Sequence, residues 1–363
     1  MRRRLWWQLF ILDGQGSHDR GSDPIMRKSS FNTRRPLHVN DEDLSPETVE
    51  EPKERKDFTD MTFSSISREA AEAVLELNFV PAGEPRHVQN DIAGAWNKRR
   101  DFVFSTQHRV QDKYLRYCDL AIPIHYAINK VAEIIMATLW LILYRPLQKP
   151  FEDSTSFQPT HPDILYLSVV VMEKAYQLST DPVTQPIWWL AGNYTQWHAL
   201  AVTLGELCVQ TEGPIVDRAW AIVDAMFVRI EKTVADSNTG MLWAPIRKLA
   251  RRARSAREHH LLLEAAKAFT GISDVREALP IPEQGRMSSM IERGQEAMGG
   301  QPVTTPQQYF FSLSEPTLDW NAMFQGTESG FELDLADANQ GAWANWEVFV
   351  EDLYGPGGLM QEQ

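Results

Sequence analysis

A chain of 363 residues with 43% hydrophobic and 23% charged residues can bury a substantial core, as one large domain or two ordinary ones. Two cysteines, Cys118 and Cys208, exclude a disulfide framework and any multi-cysteine zinc module, while leaving a single bridge between them open. The net charge of −13 is unevenly placed, because eleven acids and no Lys or Arg follow Arg293, so the acidity belongs to a tail rather than to the fold.

The first segment, MRRRLWWQLFILD, has helical spacing over residues 2–12, with Leu5, Leu9 and Leu12 on one face and Trp6 and Phe10 beside them. Its basic start resembles the front of a secretory leader. However, the apolar stretch is short, Asp13 ends it, and no small-x-small cleavage site follows. Gly14, Gly16, Gly21 and Pro24 predict a loop next, and the charged, proline-punctuated residues 41–60 predict an exposed segment. A new amphipathic helix is expected from about Ser65.

Further helices are expected over 91–119, 123–145, 162–179, 186–210, 214–236 and 242–268, with Pro123 and Pro162 suited to first turns. The longest apolar run, Ile134 to Tyr144, is well short of the roughly 20 residues that span a bilayer, and predicts a buried helix. Sustained strand alternation is nearly absent, so the expected class is all-α.

The character changes at about residue 271. Gly, Pro, Ser, Gln and Met dominate 271–317, which predicts a linker, and 318–363 is acidic and aromatic together, expected to be a largely disordered tail. Within it Trp343, Trp346, Val350 and Leu353 share a helical face, with Glu347 and Glu351 turned away. Acids keep such aromatics solvated yet available to a partner groove, which makes Trp320, Phe324, Trp343, Trp346 and Phe349 the partner-binding candidates. Docking of the same segment on its own domain is the alternative.

Patterns that carry catalysis are missing: no glycine-rich phosphate loop, no H-E-x-x-H, no G-x-S-x-G and no C-x-x-C. His259 and His260 are adjacent, so a helix turns them about 100° apart and they make a poor metal pair. Asp41, Glu42 and Asp43 lack the spacing that holds magnesium at a diphosphate. His198, in the run TYR-THR-GLN-TRP-HIS-ALA, has no assignable nucleophile or carboxylate partner and reads as a core histidine. No cofactor is expected in the chain. The run PIRKLARRARSARE sets Arg247, Lys248, Arg251, Arg252, Arg254 and Arg257 against Leu249, Ala250, Ala253 and Ala256. It predicts an amphipathic helix whose basic face is solvated, with nuclear import as the functional reading and phosphate binding a weaker one.

An ordered set of motifs resembles one family. Arg3-Arg4-Leu5-Trp6-Trp7 with Asp13, then Phe31-Asn32-Thr33 and Pro36-Leu37-His38-Val39-Asn40-Asp41 with Asp43-Leu44, are similar to the most recognisable block of the regulatory domain of fungal binuclear zinc-cluster (Zn2Cys6) transcription factors. Thr59–Phe63, Tyr114–Asp119, Trp140–Pro146, Tyr194–Ala201, Asp217–Trp220 and Leu242–Leu249 continue the match, which covers most of residues 2–260.

The resemblance implies a nuclear, non-enzymatic regulator with a helical body over 1–270, a linker over 271–317 and an activation segment over 318–363. Its partners would be transcription machinery or other regulators, with no membrane, and self-association stays open. The family reads DNA through six cysteines and two zinc ions, which this chain cannot supply, so DNA contact and zinc are expected only through a missing N-terminal domain. The opening block normally lies inside the domain, so Trp6, Trp7 and Phe10 are expected to lack packing partners and to lower solubility. The alternative function is a stand-alone interaction protein, a decoy that pairs with full-length regulators.

Overall fold

The computed structural model describes residues 2–20, 24–27, 30–45, 47, 49–78, 92–145, 164–190, 196–233 and 243–277. Among these the regular structure is helical throughout: α1 (Arg2–Arg20), α2 (Thr62–Asn78), α3 (Ile92–Lys113), α4 (Pro123–Tyr144), α5 (Ile164–Thr180), α6 (Trp197–Leu207), α7 (Pro214–Thr233) and α8 (Trp243–Glu277). The all-α expectation holds. The chain divides into two compact units, the first holding every described residue up to Arg257 and the second beginning at Glu258.

In the first unit α5 is central and packs on α4, α6 and α7, while α2 packs on α1, α3 and α4. The sequence explains the depth of this core. Residues 139–144 of α4 and 197–205 of α6 are buried without interruption, as in helices apolar on every side. By length and composition α4 could cross a membrane, yet here it is a core helix covered by its neighbours. Pro123 stands in its first turn, as its fixed φ favours. Entry to α7 is set by Gly213, whose φ of +106° is open to glycine, followed directly by Pro214. Cys118 and Cys208 are free thiols, which closes the question of a bridge between them.

The opening segment differs from the expectation. Helix α1 does not stop before the glycines but runs through Gly14 and Gly16 to Arg20. Gly14 is buried against α2, where a Cβ would lie at ordinary contact distance, 3.6 Å from Leu75 Cδ1 and 3.8 Å from Ala71 Cβ. The face turned inward carries Trp7, Phe10 and Ile11, whereas Leu5, Leu9 and Leu12 are exposed.

The aromatics are also well packed rather than short of partners. Residues 30–44 fold back across α1, so Phe31 meets Trp6 at 4.2 Å, Trp7 at 5.7 Å and Phe10 at 5.6 Å between ring centroids. Trp7 Nε1 donates to the Arg34 carbonyl at 3.0 Å, which satisfies the indole of a residue 5% exposed. Sequence spacing could not anticipate a cover supplied by an irregular segment.

That segment is fixed by charge. Arg4 bonds Asp41, and Arg3 bonds Glu51. Arg55 Nε donates to Asp43 at 2.7 Å and its Nη2 to Glu42 at 3.0 Å, and the Arg55 bonds hold the Asp43 carboxyl below the usual range. Asn40 accepts the Asp60 N–H at 3.0 Å, while Asp60 accepts the Asp41 N–H at 2.8 Å. The three acids 41–43 are therefore structural partners of arginines.

The same clamp leads into α2. Thr62 Oγ1 accepts the Thr59 N–H at 2.9 Å and Thr59 Oγ1 accepts the Met61 N–H at 3.2 Å, a reciprocal cap that starts the helix. Glu69 of α2, 2% exposed, collects Arg109 at 2.8 Å, Arg68 at 3.4 Å and Arg35 at 3.8 Å, tying α2 to α3 and to the covering segment.

Helix α8 begins in the first unit, where Trp243, Ile246, Leu249, Ala250 and Ala253 are buried as its amphipathic pattern requires. It continues past the expected end at 268, to Glu277. The described part of the second unit is its last stretch, where Leu261, Leu262 and Leu263 are exposed and Lys267 pairs with Glu264 at 2.8 Å.

Candidate functional site

Two places in the first unit are candidates. One is a partly open pocket of about 150 Å³ lined by five helices, with Gly14 and His18 from α1, Ala71 from α2, Ile134 from α4, Leu178 from α5 and His198 from α6 on its wall. Its lining is predominantly apolar, with a few polar groups, as small-molecule sites usually are.

The two histidines face one another, ring centroids 5.4 Å apart. His198 is 3% exposed, and its Nε2 lies 2.7 Å from the Arg145 carbonyl, which can only accept, so the proton is on Nε2. His18 Nδ1 lies 2.7 Å from Asn78 Nδ2, an amide donor, so the His18 proton sits on the other nitrogen, Nε2. His18 keeps some accessible surface although its ring lies deep in protein, as expected of a side chain on a cavity wall.

Both rings are neutral at physiological pH. Burial, and after it the neighbouring His198, lower His18 to about 3. His198 is lowered to about 4, also chiefly by burial, with its bond to the Arg145 carbonyl opposing and the Arg145 charge assisting. Among the described residues Asp19 is the one acid on the wall. Among the described residues no group of three or more His, Cys, Asp or Glu could hold a metal ion.

His198 is thus the buried core histidine that its sequence context suggests. His18 escaped the sequence reading because it fell in what looked like a glycine loop. Its only signal was the helical continuation from Leu12 that the glycines disguised.

The second place is the basic face of α8. Arg247, Lys248, Arg251 and Arg252 are exposed on it. Arg254 differs: it donates to Asp224 of α7 at 2.8 Å and lies 5.7 Å over the Trp220 ring. Arg257 repeats the arrangement with Asp217 at 2.6 Å and Trp220 at 5.9 Å. Within the predicted basic set, Arg254 and Arg257 therefore fasten α8 to α7, while Arg247, Lys248, Arg251 and Arg252 present exposed side chains. Trp320, Phe324, Trp343, Trp346 and Phe349 lie outside the described residues.

Comparison with known proteins identifies the relatives. The chain is 26% identical over 304 residues to the C6 finger domain transcription factor nscR of Aspergillus fumigatus, covering 80% of this chain and 38% of that protein. It is 28% identical over 268 residues to the C6 finger domain transcription factor adaR of Aspergillus niger, covering 69% and 34%. This chain is a relative of fungal C6 finger transcription factors. Against the aurofusarin cluster transcription factor aurR2 of Gibberella zeae the identity is 24% over 246 residues, 67% of this chain and 36% of that one. The chain spans from about a third to about a half of the length of these curated C6 finger relatives. No family model matches, and no solved structure matches.

Among the residues that carried the resemblance, Arg4, Trp7, His38, Asn40, Asp41 and Asp43 now have structural roles. They fasten the covering segment to α1 and to the start of α2, with His38 buried beside Thr59 and its Nε2 at 3.1 Å from the Asp57 carbonyl.

Proposed function

We propose that this chain is a nuclear, non-catalytic transcriptional regulator of a fungal pathway. The observation that carries the reading is the alignment of most of the chain with proteins named as C6 finger and pathway-cluster transcription factors. The helical body, residues 1–270, is the regulatory domain, and 271–317 is a linker. The segment 318–363 recruits transcription machinery through Trp320, Phe324, Trp343, Trp346 and Phe349, with its acids steering the encounter. Arg247, Lys248, Arg251 and Arg252 form the import face, with Arg254 contributing while it also braces α7.

With two cysteines the chain cannot itself build a six-cysteine, two-zinc cluster, so DNA is reached through another polypeptide segment or another protein. That same observation favours a second reading, a decoy that pairs with full-length regulators. The test is a fusion of the full chain to a foreign DNA-binding domain over a reporter gene. An activator raises transcription, and alanine at the five tail aromatics removes the rise. No rise with the intact chain rejects the activation role and leaves the decoy.

A further inference from the structure

The pocket combines three features that belong together in a ligand site: a wall drawn from five helices, a lining that is chiefly apolar, and an imidazole N–H on that wall. We infer that it holds a small, uncharged, ring-sized molecule bearing one oxygen that accepts a hydrogen bond from His18 Nε2–H.

The size argument comes first. At about 150 Å³ the cavity matches protein cavities of about 150 Å³ that take up one benzene. Shape follows from where the wall comes from. Gly14 removes a side chain where α1 crosses α2, and Ala71 and Ala175 are small at neighbouring positions on α2 and α5. Larger residues at these places would fill the space.

Chemistry then narrows the class. The Asn78 amide donates to His18 Nδ1, which fixes the tautomer and leaves Nε2 as a donor. An apolar site gains selectivity from such a group, because a ligand lacking the matching acceptor leaves it unsatisfied. Charged ligands are disfavoured on both signs. An anion would meet Asp19 and lose its hydration, and a cation would lose its hydration against a wall that is chiefly apolar. A hydroxylated or keto ring compound satisfies all of these terms.

Binding here would stabilise the contacts among α1, α2, α4, α5 and α6 at once, so it would supply the effector input of the regulatory domain proposed above. The inference rests on that reading only for this consequence, because binding is measured on the purified chain without any transcription.

The experiment is a titration of the full 363-residue chain at pH 7 with phenol, benzene, benzoate and benzylamine, followed by ligand-observed nuclear magnetic resonance and by calorimetry. Phenol is expected to bind saturably and about fivefold more tightly than benzene, the factor for one net hydrogen bond. Benzoate and benzylamine are expected to show no saturable binding.

Ala175→Leu, which fills the cavity, should abolish phenol and benzene binding, and His18→Phe should erase the preference for phenol while benzene still binds. Thr138→Leu serves as a second filling variant, so that a folding failure of one does not remove the test. Absence of saturable phenol binding overturns the inference. So does phenol binding that survives both filling variants, or a preference for either charged probe.

Discussion

The opening of the chain and the start of α8 look alike on paper: arginines interleaved with large apolar residues on a helix. In the fold they behave oppositely. Arg3 and Arg4 end on acids at 51 and 41, and Trp7 is sealed under residues 30–44, so the charge pattern at the opening is structural. On α8, Arg247, Lys248, Arg251 and Arg252 stay exposed, while Arg254 and Arg257 pair with acids on α7. What separates the two is the supply of carboxylates from a segment folded over the helix, not the helix's own sequence.

Substitutions break this contrast in order of size. Trp7→Ala should destabilise by about 3–5 kcal/mol, since a 5% exposed indole loses its packing with Phe10 and Phe31 and a hydrogen bond. Urea denaturation followed by circular dichroism measures it. Glu69→Gln should cost about 3 kcal/mol in the same assay, because the 2% exposed carboxylate that Arg109 and Arg68 share is lost and Arg68, itself 4% exposed, is left with Glu72. Either variant matching wild type would mean that the opening segment is as peripheral as the face of α8.

Acid is the next lever. His18 and His198 titrate near 6.5 in the unfolded chain and at about 3 and about 4 in the fold, so between these values the unfolded chain binds more protons. Stability contributed by the neutral rings is therefore present above pH 6.5 and falls as pH drops. The expected loss is about 2–4 kcal/mol between pH 7 and pH 5. His38 and His125, both lowered chiefly by burial, act in the same direction. Thermal melts across this range should show the slope, and His18→Gln should flatten it.

Smaller effects sharpen the comparison. Gly14→Ala meets Leu75 and Ala71 only at ordinary contact distances, so it should stabilise α1 by about 0.5–1 kcal/mol, raising the melting temperature. Arg251→Ala, on the exposed face, should change stability by less than about 0.5 kcal/mol while weakening nuclear accumulation of a fluorescent fusion.

Much of the fold was legible because amphipathic period and first-turn prolines are local signals. The buried face of α8 and the position of Pro123 in α4 follow from neighbours in sequence, whereas α2 begins at Thr62, three residues before its expected start, because the Thr59–Thr62 cap precedes the amphipathic run. The end of α1 was not legible, because glycine read as a breaker is here a packing residue whose reason lies in α2. The packing of Trp6, Trp7 and Phe10 was not legible either, because the cover over them comes from an irregular segment. The candidate site was the least legible, since His18 and His198 acquire meaning only as a pair, and nothing near either one announces the other.

That separation has a consequence for how the protein is made. The covering clamp uses residues up to Asp60 and the start of α2, so it can close while most of the chain is still unsynthesised. The cavity cannot, because its wall begins on α1 and ends with His198. At a synthesis rate of about 5–20 residues per second, His198 follows His18 by roughly 10–35 seconds. During that interval α1, then α2 and then α4 add to a half-built wall that stands open on the nascent chain, an apolar surface that ribosome-associated chaperones could cover.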